Sequence, residues 1–361
     1  MQWIAIILIF PYVYILLVIY RGLRSLKSFI PASTTSIFAS IIVACRNEQE
    51  YLPLLLNDIA AQLHPDSLFE VIIVDDNSAD RTFEIASGYS GIKNLTVIKN
   101  EGRGKKEAIR TGIIVSAGSL IITTEADCSM GENWLRTIVE FYEESGADMI
   151  VCPVKLEQGK GFFGRFQELE FLSLQGVTAG SIISGNSTMC NGANLAFKRD
   201  AYMINQENLH PELLSGDDIF LLHSIKKNEQ SVIEWLEAFD SVVTTRSHSD
   251  AGQFIKQRRK WISKVIAYND SFTILLGIVT FVTILLQILT LAAGFFNHTF
   301  IYIYFLILTM KSVPDLLILH NTTVRYGKRE LMAWFIPSQV VYPFYVLITV
   351  SYAFFSPGER N

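Results

Sequence analysis

Long uncharged apolar runs stand near both ends of the chain and predict helices that span a membrane. Residues 3–20 carry no charge and are followed by Arg21, Arg24 and Lys27. A helix of about 18 residues rises roughly 27 Å, close to the thickness of a bilayer's hydrocarbon core. A cleaved signal peptide has its basic residues ahead of a shorter apolar run, whereas here they follow the run. The first run is therefore predicted to be a retained transmembrane helix.

Three further apolar runs predict three more crossings, which makes four. They cover residues 272–296, 299–319 and 331–355. With four crossings, every basic cluster falls on one side of the membrane, and such clusters mark the cytoplasmic side. Both termini are therefore predicted outside and the segment 28–265 inside, in a multi-pass protein of a cell's inner (cytoplasmic) membrane.

The run at 299–319 is interrupted by Lys311, Pro314 and Asp315. Lys311 and Asp315 are four residues apart and can pair on one helical face. Ionisable groups inside a membrane are functional candidates by default. The favoured interpretation is structural: the helix kinks at Pro314, and the pair lies at the inner membrane surface.

Between the first two apolar runs, short apolar strands alternate with amphipathic helices. The candidate strands are 37–44, 69–75, 95–98, 120–124 and 149–154, and helical stretches begin near Glu48, Asp80, Lys105 and Glu132. This rhythm predicts an α/β fold with a mainly parallel sheet that is covered on both faces. Ligands of such sheets bind at the carboxyl ends of the strands, so the chemistry is expected there.

Together these patterns predict four parts. They are a transmembrane helix with a basic flank at 1–27, a cytoplasmic α/β domain at 28–251, an interfacial amphipathic helix at 252–270, and three transmembrane helices at 271–361. The net charge is −5, and the basic clusters stand beside the apolar runs. This distribution argues against a nucleic acid partner. The first βα turn, ACRNEQE, has no glycine, which argues against a dinucleotide-binding site, and a P-loop motif is missing too.

Three pairs of acidic residues follow strands or open a helix. They are Asp75 and Asp76 in VDDNSADRT, Glu125 and Asp127 in TEADC, and Asp217 and Asp218 in GDD. Gathered at one sheet edge, they would repel one another unless a cation or hydrogen-bond donors lie among them. A divalent cation held by one or two carboxylates and by substrate phosphates is one solution. Taken singly, each pair is explained equally well by turn chemistry or helix capping. The set is more specific than its members.

In order and spacing these motifs resemble family 2 glycosyltransferases with the GT-A fold, in particular the membrane-bound polysaccharide and glycolipid synthases. The resemblance covers about residues 37–265 and rests on VACRNE, VDDNSADRT, GKKEAIRTG, TEADC, GDD and QRRKW. It implies a Rossmann-like, nucleotide-sugar-binding GT-A domain that transfers a sugar with inversion at the anomeric carbon.

The resemblance also implies which residues bind the donor, a nucleotide sugar, with a UDP-sugar expected ahead of a GDP-sugar. Its binding residues are expected to be Glu48, Asp75, Asp76, Lys105 and Glu125. Glu125 departs from the family pattern, which usually has Asp there. Asp127 matches the family's metal ligand and is expected to hold Mg²⁺ or Mn²⁺ against the diphosphate, where the metal neutralises the charge of the leaving group.

The catalytic base is expected at Asp218, with Asp217 beside it, because they match the family's Glu-Asp motif. A carboxylate within hydrogen-bond reach of the acceptor hydroxyl removes its proton as the oxygen attacks. The loop NGANLAFKR resembles the one that borders the acceptor, which implies acceptor contacts for Asn191 and Asn194.

In the family, a Q-x-x-R-W motif on an interfacial helix caps the acceptor and faces the diphosphate. Gln257 and Trp261 match it, but Lys260 stands where the family has Arg. Lysine keeps a charge and loses the bidentate recognition of phosphate. Arg258 or Arg259, one turn of chain away, is the candidate to compensate. Lys256 and Lys264 are expected to anchor the helix at the interface.

The leading hypothesis is a metal-dependent hexosyltransferase whose acceptor is a lipid, a lipid-linked sugar or a glycan. One alternative is a processive polysaccharide synthase, although four helices are too few to enclose a sugar-wide pore in one chain unless it oligomerises. Another is a non-catalytic membrane subunit that binds nucleotide sugars, which the departures at Glu125 and Lys260 favour. A glycoside hydrolase also uses paired carboxylates, but it needs neither a nucleotide-binding turn nor a metal.

Overall fold

The computed structural model describes residues 2–32, 35–210, 213 and 216–355. Residue 1 and residues 356–361, which the predicted first and last parts include, lie outside this range, as do 33–34 and most of 211–215. The chain forms two compact units: a helical unit from Met1–Leu26, Gln158–Thr188 and Ser247–Asn361, and an α/β unit from Lys27–Glu157 and Met189–Arg246. The predicted boundaries differ from this division, because residues 158–188 group with the helices of the predicted membrane spans.

The elements are numbered along the whole chain. The helices are α1 Gln2–Ser25, α2 Leu52–Ala60, α3 Thr82–Ser87, α4 Lys105–Val115, α5 Trp134–Ser145, α6 Gly161–Ile183, α7 Arg199–Asn205, α8 Asp217–Lys226, α9 Ala251–Ser263, α10 Ser271–Gly294, α11 Thr299–Arg325 and α12 Phe335–Phe355. The strands are β1 Ala39–Cys45, β2 Phe69–Asp75, β3 Leu95–Lys99, β4 Leu120–Thr124, β5 Met149–Val151, β6 Val154–Leu156, β7 Asn194–Lys198, β8 Ile233–Trp235 and β9 Val243–Thr245.

The main sheet of the α/β unit has the strand order β3-β2-β1-β4-β7-β5-β8. Strands β1 to β4 are mutually parallel where they pair, and β7 runs antiparallel to both β4 and β5. The central strands are almost continuously apolar because they are buried on both faces, as in Ile41, Ile42 and Val43 of β1. The predicted α/β fold with a mainly parallel sheet is confirmed.

Two details of the sheet differ from the predicted strands. The segment predicted as one strand at 149–154 forms β5 and β6, with Pro153 near the break, where its missing N–H cannot serve a ladder. β6 pairs with β9 in a separate small sheet. In addition, β7 inserts between β4 and β5, so consecutive parallel strands are not neighbours there.

Four helical segments of the helical unit are long and apolar enough to cross a membrane. They are Ile7–Ser25, Ser271–Gly294, Thr299–Arg325 and Arg329–Phe355, the last beginning as a 3-10 turn at Arg329–Trp334. Within the described residues this confirms the predicted number of candidate spans.

Lys311 and Asp315 form the predicted pair, but their location differs from the prediction. Lys311 is the thirteenth of the 27 residues of α11 and is 1% exposed. Its Nζ lies 2.6 Å from Asp315 Oδ2 and donates to Gln339 Oε1 of α12 at 2.9 Å, and the Tyr12 hydroxyl of α1 donates to Asp315 Oδ1 at 2.6 Å. The helix continues through Pro314. The pair is therefore buried among three helices and stands near the middle of α11, not at either end of the helix.

Helix α6 packs closely against α1 and α11 through glycines. A Cβ on Gly180 would overlap the backbone oxygen of Ile19, and one on Gly22 would overlap the backbone oxygen of Gly180. Gly176, one turn earlier, faces Thr322 and Ile318 of α11 in the same way. Small residues four apart let helix backbones approach closely, and this explains why α6 belongs to the helical unit.

We expect Gly180→Ala to destabilise the helical unit although alanine is the better helix former. The added methyl meets backbone that cannot rotate away, so overpacking should cost about 1–3 kcal/mol. Thermal unfolding in lipid nanodiscs measures the effect. The matched control is Gly277→Ala in α10, where a Cβ meets nothing within 4 Å and the midpoint should hold or rise. An unchanged midpoint for Gly180→Ala would contradict this close packing.

Candidate active site

The carboxyl ends of β2, β1 and β4 surround a cavity of about 260 Å³ in the α/β unit. Strand β1 lies between the other two, so the residues that follow β2 and β4 face each other across its end, about 10 Å apart at the usual strand spacing. The lining residues are Ala44, Cys45, Arg46, Glu48, Asp76, Lys105, Glu125, Ala126 and Asp127. Five of the residues predicted from the sequence are therefore brought together.

The turn after β1 is held by the loop that follows β2. Asn47 has a left-handed backbone, with φ 58°, and its Oδ1 accepts a hydrogen bond from the Ala79 N–H at 2.8 Å. The Glu48 N–H donates to Thr82 Oγ1 at 2.7 Å. These contacts fix the Glu48 backbone and place its carboxylate on the cavity wall.

Asp75 and Asp76 lie at the end of β2 and differ in their surroundings. Asp76 Oδ1 accepts from Asn100 Nδ2 at 2.7 Å and from the Gly104 N–H at 2.9 Å, and the residue lines the cavity. Asp75 is 3% exposed, and its Oδ1 has no partner among the described residues. A buried acceptor without a donor needs an explanation, and a ligand's N–H or O–H group is one.

Lys105 and the acidic pair of α8 are both presented by the first turn of a helix. Gly104 and Gly216, with φ of 92° and 99°, supply the left-handed turns that lead into α4 and α8. Lys105 Nζ forms an ion pair with Glu125. Burial alone would lower the Lys105 pKa, but the carboxylates of Glu125, Asp217 and Asp218 outweigh it and raise the pKa, so the ammonium stays charged.

Asp218 is held in a fixed orientation beside Lys105. Its Oδ2 accepts from the Gly192 N–H at 3.1 Å and its Oδ1 from the Ile219 N–H at 2.8 Å. A Cβ on Gly192 would lie 3.5 Å from Lys105 Nζ and 3.6 Å from Asp218 Oδ2. The ammonium and this carboxylate therefore both lie within contact distance of the position that a Gly192 Cβ would occupy.

Asp127, the residue expected from the sequence to bind a metal, lies on the cavity wall beside Glu125. Its Oδ2 accepts from Thr245 Oγ1 at 3.2 Å. Burial and then the nearby Glu125 carboxylate raise the Asp127 pKa. Among the described residues no three His, Cys, Asp or Glu side chains form a complete protein cage for a metal. The donor set fits a Mg²⁺-like or Mn²⁺-like ion that takes its other ligands from phosphate and water.

The two asparagines of the NGANLAFKR loop that are predicted to contact the acceptor have different surroundings. The Asn191 side chain accepts from the Ala193 N–H at 3.0 Å and is partly exposed. Asn194 is completely buried, and its Nδ2 donates to the backbone oxygens of Pro153 and Ser241 at 2.8 Å each. Its Oδ1 accepts from Trp134 Nε1 at 3.0 Å. Asn194 has no donor left for an acceptor, so its predicted role is corrected to a structural one.

The Q-x-x-K-W residues lie on α9, in the helical unit. Gln257, Arg259 and Trp261 are partly exposed and Lys260 is exposed, whereas Arg258 is 4% exposed. Arg258 pairs with Glu170, Nη2 to Oε2 at 2.5 Å, so it is not free to replace the missing arginine at a diphosphate. Arg259 stays the candidate from the sequence, and its guanidinium lies 4.5 Å from the ring centre of Tyr352.

Sequence reasoning missed several residues of the cavity's surroundings. Arg46 lines the cavity inside the motif VACRNE and is exposed, yet only its neighbour Glu48 was assigned a role. Thr245 and Arg246 stand far along the chain in no recognisable motif. Arg246 lies 3.7 Å above the Tyr51 ring and acts on Glu48. The small sheet that carries β9, together with a backbone bridge between Ser129 and Thr244, brings this segment to the site.

Glu48 is the carboxylate whose protonation changes near neutral pH. Burial, followed by the charges of Asp127, Glu125 and Asp80, raises the Glu48 pKa from 4.5 to about 7, although Arg246 opposes the shift. Without a ligand or metal, the Glu48 carboxyl therefore keeps its proton to a higher pH than an exposed glutamate does.

This shift predicts a pH-dependent stability effect for Glu48→Gln. The folded protein holds the Glu48 proton more tightly than the unfolded chain does, so stability is lost as pH rises from 4.5 to about 7. Glutamine removes that loss. The measured quantity is the unfolding temperature of Glu48→Gln minus that of wild type. After allowance for solvent screening, we expect this difference to be about 2 °C larger at pH 8 than at pH 4.5. Differential scanning calorimetry without nucleotide or metal measures this difference. Equal differences at both pH values would contradict the raised pKa of Glu48.

Comparison with known proteins finds similarity to glycosyltransferases. Residues 40–203 match the family model for glycosyl transferase family 2. Glycosyltransferase AglE of Haloferax volcanii is 35% identical over 131 residues, which are 36% of this chain and 43% of that protein. Dolichyl-phosphate beta-glucosyltransferase of Homo sapiens is 34% identical over 100 residues, 24% of this chain and 30% of that protein. The chain spans less than half the length of these relatives.

A solved structure has the same fold over nearly the whole chain. It is the mannosyltransferase PcManGT from Pyrobaculum calidifontis, in complex with GDP-Man and Mn²⁺. The TM-score is 0.62 at 17% identity, with 99% of both chains covered. At this identity the likeness supports the GT-A fold with its helical unit and not a choice of substrate.

Proposed function

This chain carries a family 2 glycosyltransferase domain, and from that premise we propose that it transfers a sugar from a nucleotide-diphosphate sugar to a lipid or lipid-linked acceptor at a membrane. One observation carries the proposal. A charged lysine, Lys105, pairs with Glu125 on the cavity wall, and the carboxylates of Asp217 and Asp218 act on the same ammonium. Transfer from a nucleotide sugar needs a cation near the leaving diphosphate and a base near the attacking hydroxyl.

Some of the site residues act on the nucleotide-sugar donor, and others act on the acceptor hydroxyl. Asp75 and Asp76, at the end of β2, accept N–H and O–H donors of the nucleoside, and Glu48 and Glu125 line the same cavity. The Lys105 ammonium breaks its ion pair with Glu125 and then offers its positive charge to the diphosphate. Asp218, which Gly192 orients, takes the proton of the acceptor hydroxyl as that oxygen attacks the anomeric carbon. Asp217 stands next to it in the first turn of α8. A single displacement of this kind inverts the configuration of the sugar.

A divalent cation would be held by Asp127, with Glu125 beside it. Bound there, Mg²⁺ or Mn²⁺ supplies charge neutralisation of the nucleoside diphosphate. Thr245 holds one oxygen of Asp127 and so keeps the carboxylate turned to one side. The human relative named for dolichyl phosphate supports an acceptor linked to a lipid.

The four candidate spans support a membrane location, with the α/β unit on the cytoplasmic side of an inner membrane and the acceptor arriving from the bilayer. A UDP-sugar is the donor expected from the sequence motifs. The partly exposed Trp261 and Gln257 of α9, with Arg259 and Lys260, are the proposed contacts to the acceptor and diphosphate, together with Asn191.

The test uses purified full-length protein in nanodiscs made with native lipid. UDP- and GDP-sugars are screened for release of nucleoside diphosphate with Mg²⁺ or Mn²⁺, with and without lipid extract. Release from one donor that requires lipid supports the proposal and names the donor. Metal-dependent nucleotide binding without release from any donor would overturn it in favour of a non-catalytic binding subunit. Release that builds a long glycan would indicate a processive synthase.

A further inference from the structure

Arg258 lies at the centre of a buried network that holds α9 against α6. Its guanidinium makes two parallel hydrogen bonds to Glu170 of α6, from Nε to Oε1 at 2.9 Å and from Nη2 to Oε2 at 2.5 Å. Arg258 is 4% exposed and Glu170 is 8% exposed. A bidentate pair fixes the plane of the guanidinium as well as its position, which a single bond does not.

The same guanidinium contacts both α9 side chains that match the family's acceptor motif. Its centre lies 4.1 Å from the Trp261 ring and 4.6 Å from the ring of Phe254. Its Nη1 donates to Gln257 Oε1. Arg258 therefore touches Gln257 and Trp261 at once, while both of them keep part of their surface exposed.

Glu170 is itself held by a third helix. The hydroxyl of Tyr345 in α12 donates to Glu170 Oε1 at 3.1 Å. The Tyr345 ring stacks on Phe254 with 5.3 Å between centres, and Phe166 of α6 packs edge-on against both rings. An aromatic cluster and a buried carboxylate thus form the seat on which α9 rests.

The charged groups of Arg258 and Glu170 each serve as the counter-ion of the other. Burial lowers the Arg258 pKa, but the Glu170 carboxylate outweighs this effect and raises it. Removing either partner alone leaves a buried charge without its counter-ion, whereas removing both does not. This difference allows positioning to be separated from a simple loss of folding.

We propose that Glu170 and Arg258 are positioning residues that set the orientation of Gln257 and Trp261 towards the sugar acceptor. Glu170 acts through Arg258, and Arg258 acts through its contacts with the two side chains. The docking of α9 against α6 does not depend on which reaction the protein catalyses. Its consequence for the acceptor rests on the proposed function.

Hydrogen exchange tests the docking in the full chain, in nanodiscs and without substrate. We expect Glu170→Gln, Arg258→Met and the double variant E170Q/R258M to raise amide exchange across Ala251–Ser263 by about tenfold. The double variant removes the bidentate pair of Arg258 and Glu170 without leaving an unpaired charge. The control, Arg136→Met, removes an arginine–carboxylate pair of α5, with Glu140, and should leave α9 exchange unchanged. Unchanged α9 exchange in the double variant would overturn the proposal.

Kinetics test the consequence. We expect Glu170→Gln to raise the apparent KM for the lipid acceptor by about fivefold and to leave the donor KM near wild type, because only the acceptor side loses its orientation. In a Trp261→Ala background, Glu170→Gln should add no further loss, and Arg258→Lys should regain part of the activity of Arg258→Met. Full additivity with Trp261→Ala would overturn action through Trp261. If the wild-type protein releases no nucleotide, the proposed function fails while the exchange experiment still decides the docking.

Discussion

Asp218→Asn is expected to abolish lipid-dependent release of nucleoside diphosphate while nucleotide binding survives. The amide keeps the shape of the side chain, and its single oxygen can still accept from one of the two backbone N–H groups, of Gly192 and Ile219, that bind the carboxylate, so the fold should be retained. It cannot take a proton. A positioned general base contributes about 10²–10⁴-fold, so turnover should fall by roughly 10³-fold. Initial rates at saturating donor, beside the dissociation constant of the nucleoside diphosphate, measure the two effects separately.

The matched control for this substitution is Asp240→Asn. Asp240 is exposed, lies in the same unit and does not line the cavity, so its loss changes net charge by the same amount with no expected change in rate. Near-normal turnover in Asp218→Asn would remove Asp218 from the reaction and would make Asp217, its neighbour on α8, the next residue to replace.

Asp127→Asn is expected to remove the response to metal. An amide oxygen is a weaker ligand for a hard cation than a carboxylate. Changing even an outer partner of a metal ligand costs about 10–100-fold in affinity or activity, so the loss here should be at least about tenfold. Nucleoside diphosphate release measured over a range of Mn²⁺ concentrations gives the apparent affinity.

Stability provides an independent readout of the same variant. Since burial and Glu125 raise the Asp127 pKa, the ionised carboxylate destabilises the metal-free protein, and asparagine should raise its unfolding midpoint. The further rise on adding Mn²⁺ and nucleotide should be lost, because a ligand stabilises only the state that it binds. Thr245→Val, which removes the donor to Asp127 Oδ2, should not raise the metal-free midpoint and should reduce the rise on adding Mn²⁺ and nucleotide only in part. A variant with wild-type dependence on Mn²⁺ would exclude Asp127 as a ligand.

Local pattern was a good guide wherever a single strand or helix decided the outcome. The apolar runs predicted the candidate spans, because a helix that crosses a bilayer must be apolar along its whole length. The alternation of short strands and helices predicted the mainly parallel sheet. The acidic pairs were recognised because they follow buried strands, whose carboxyl ends meet at one edge. Glu48, Asp76, Glu125 and Asp127 share a cavity for this reason.

Local pattern was a poor guide wherever a side chain's environment came from distant parts of the chain. Asn194 was predicted to contact the acceptor, yet Trp134, Pro153 and Ser241 consume its amide. Arg258 lies in a strongly basic stretch that predicts exposure, but its partner Glu170 stands 88 residues earlier. Lys311 is buried because Tyr12 and Gln339 reach its pair with Asp315 from two other helices.

The sequence by itself determined the candidate spans, the α/β core and the family motifs, because each depends on a chain-local period or on the residues that directly follow a strand. Only the tertiary structure decided that β7 separates β4 from β5, that α6 joins the helical unit, and which polar side chains remain open to a ligand. The physical reason is that burial and hydrogen-bond partnership are properties of packed surfaces. In these cases the packed surfaces come from segments that lie far apart along the chain.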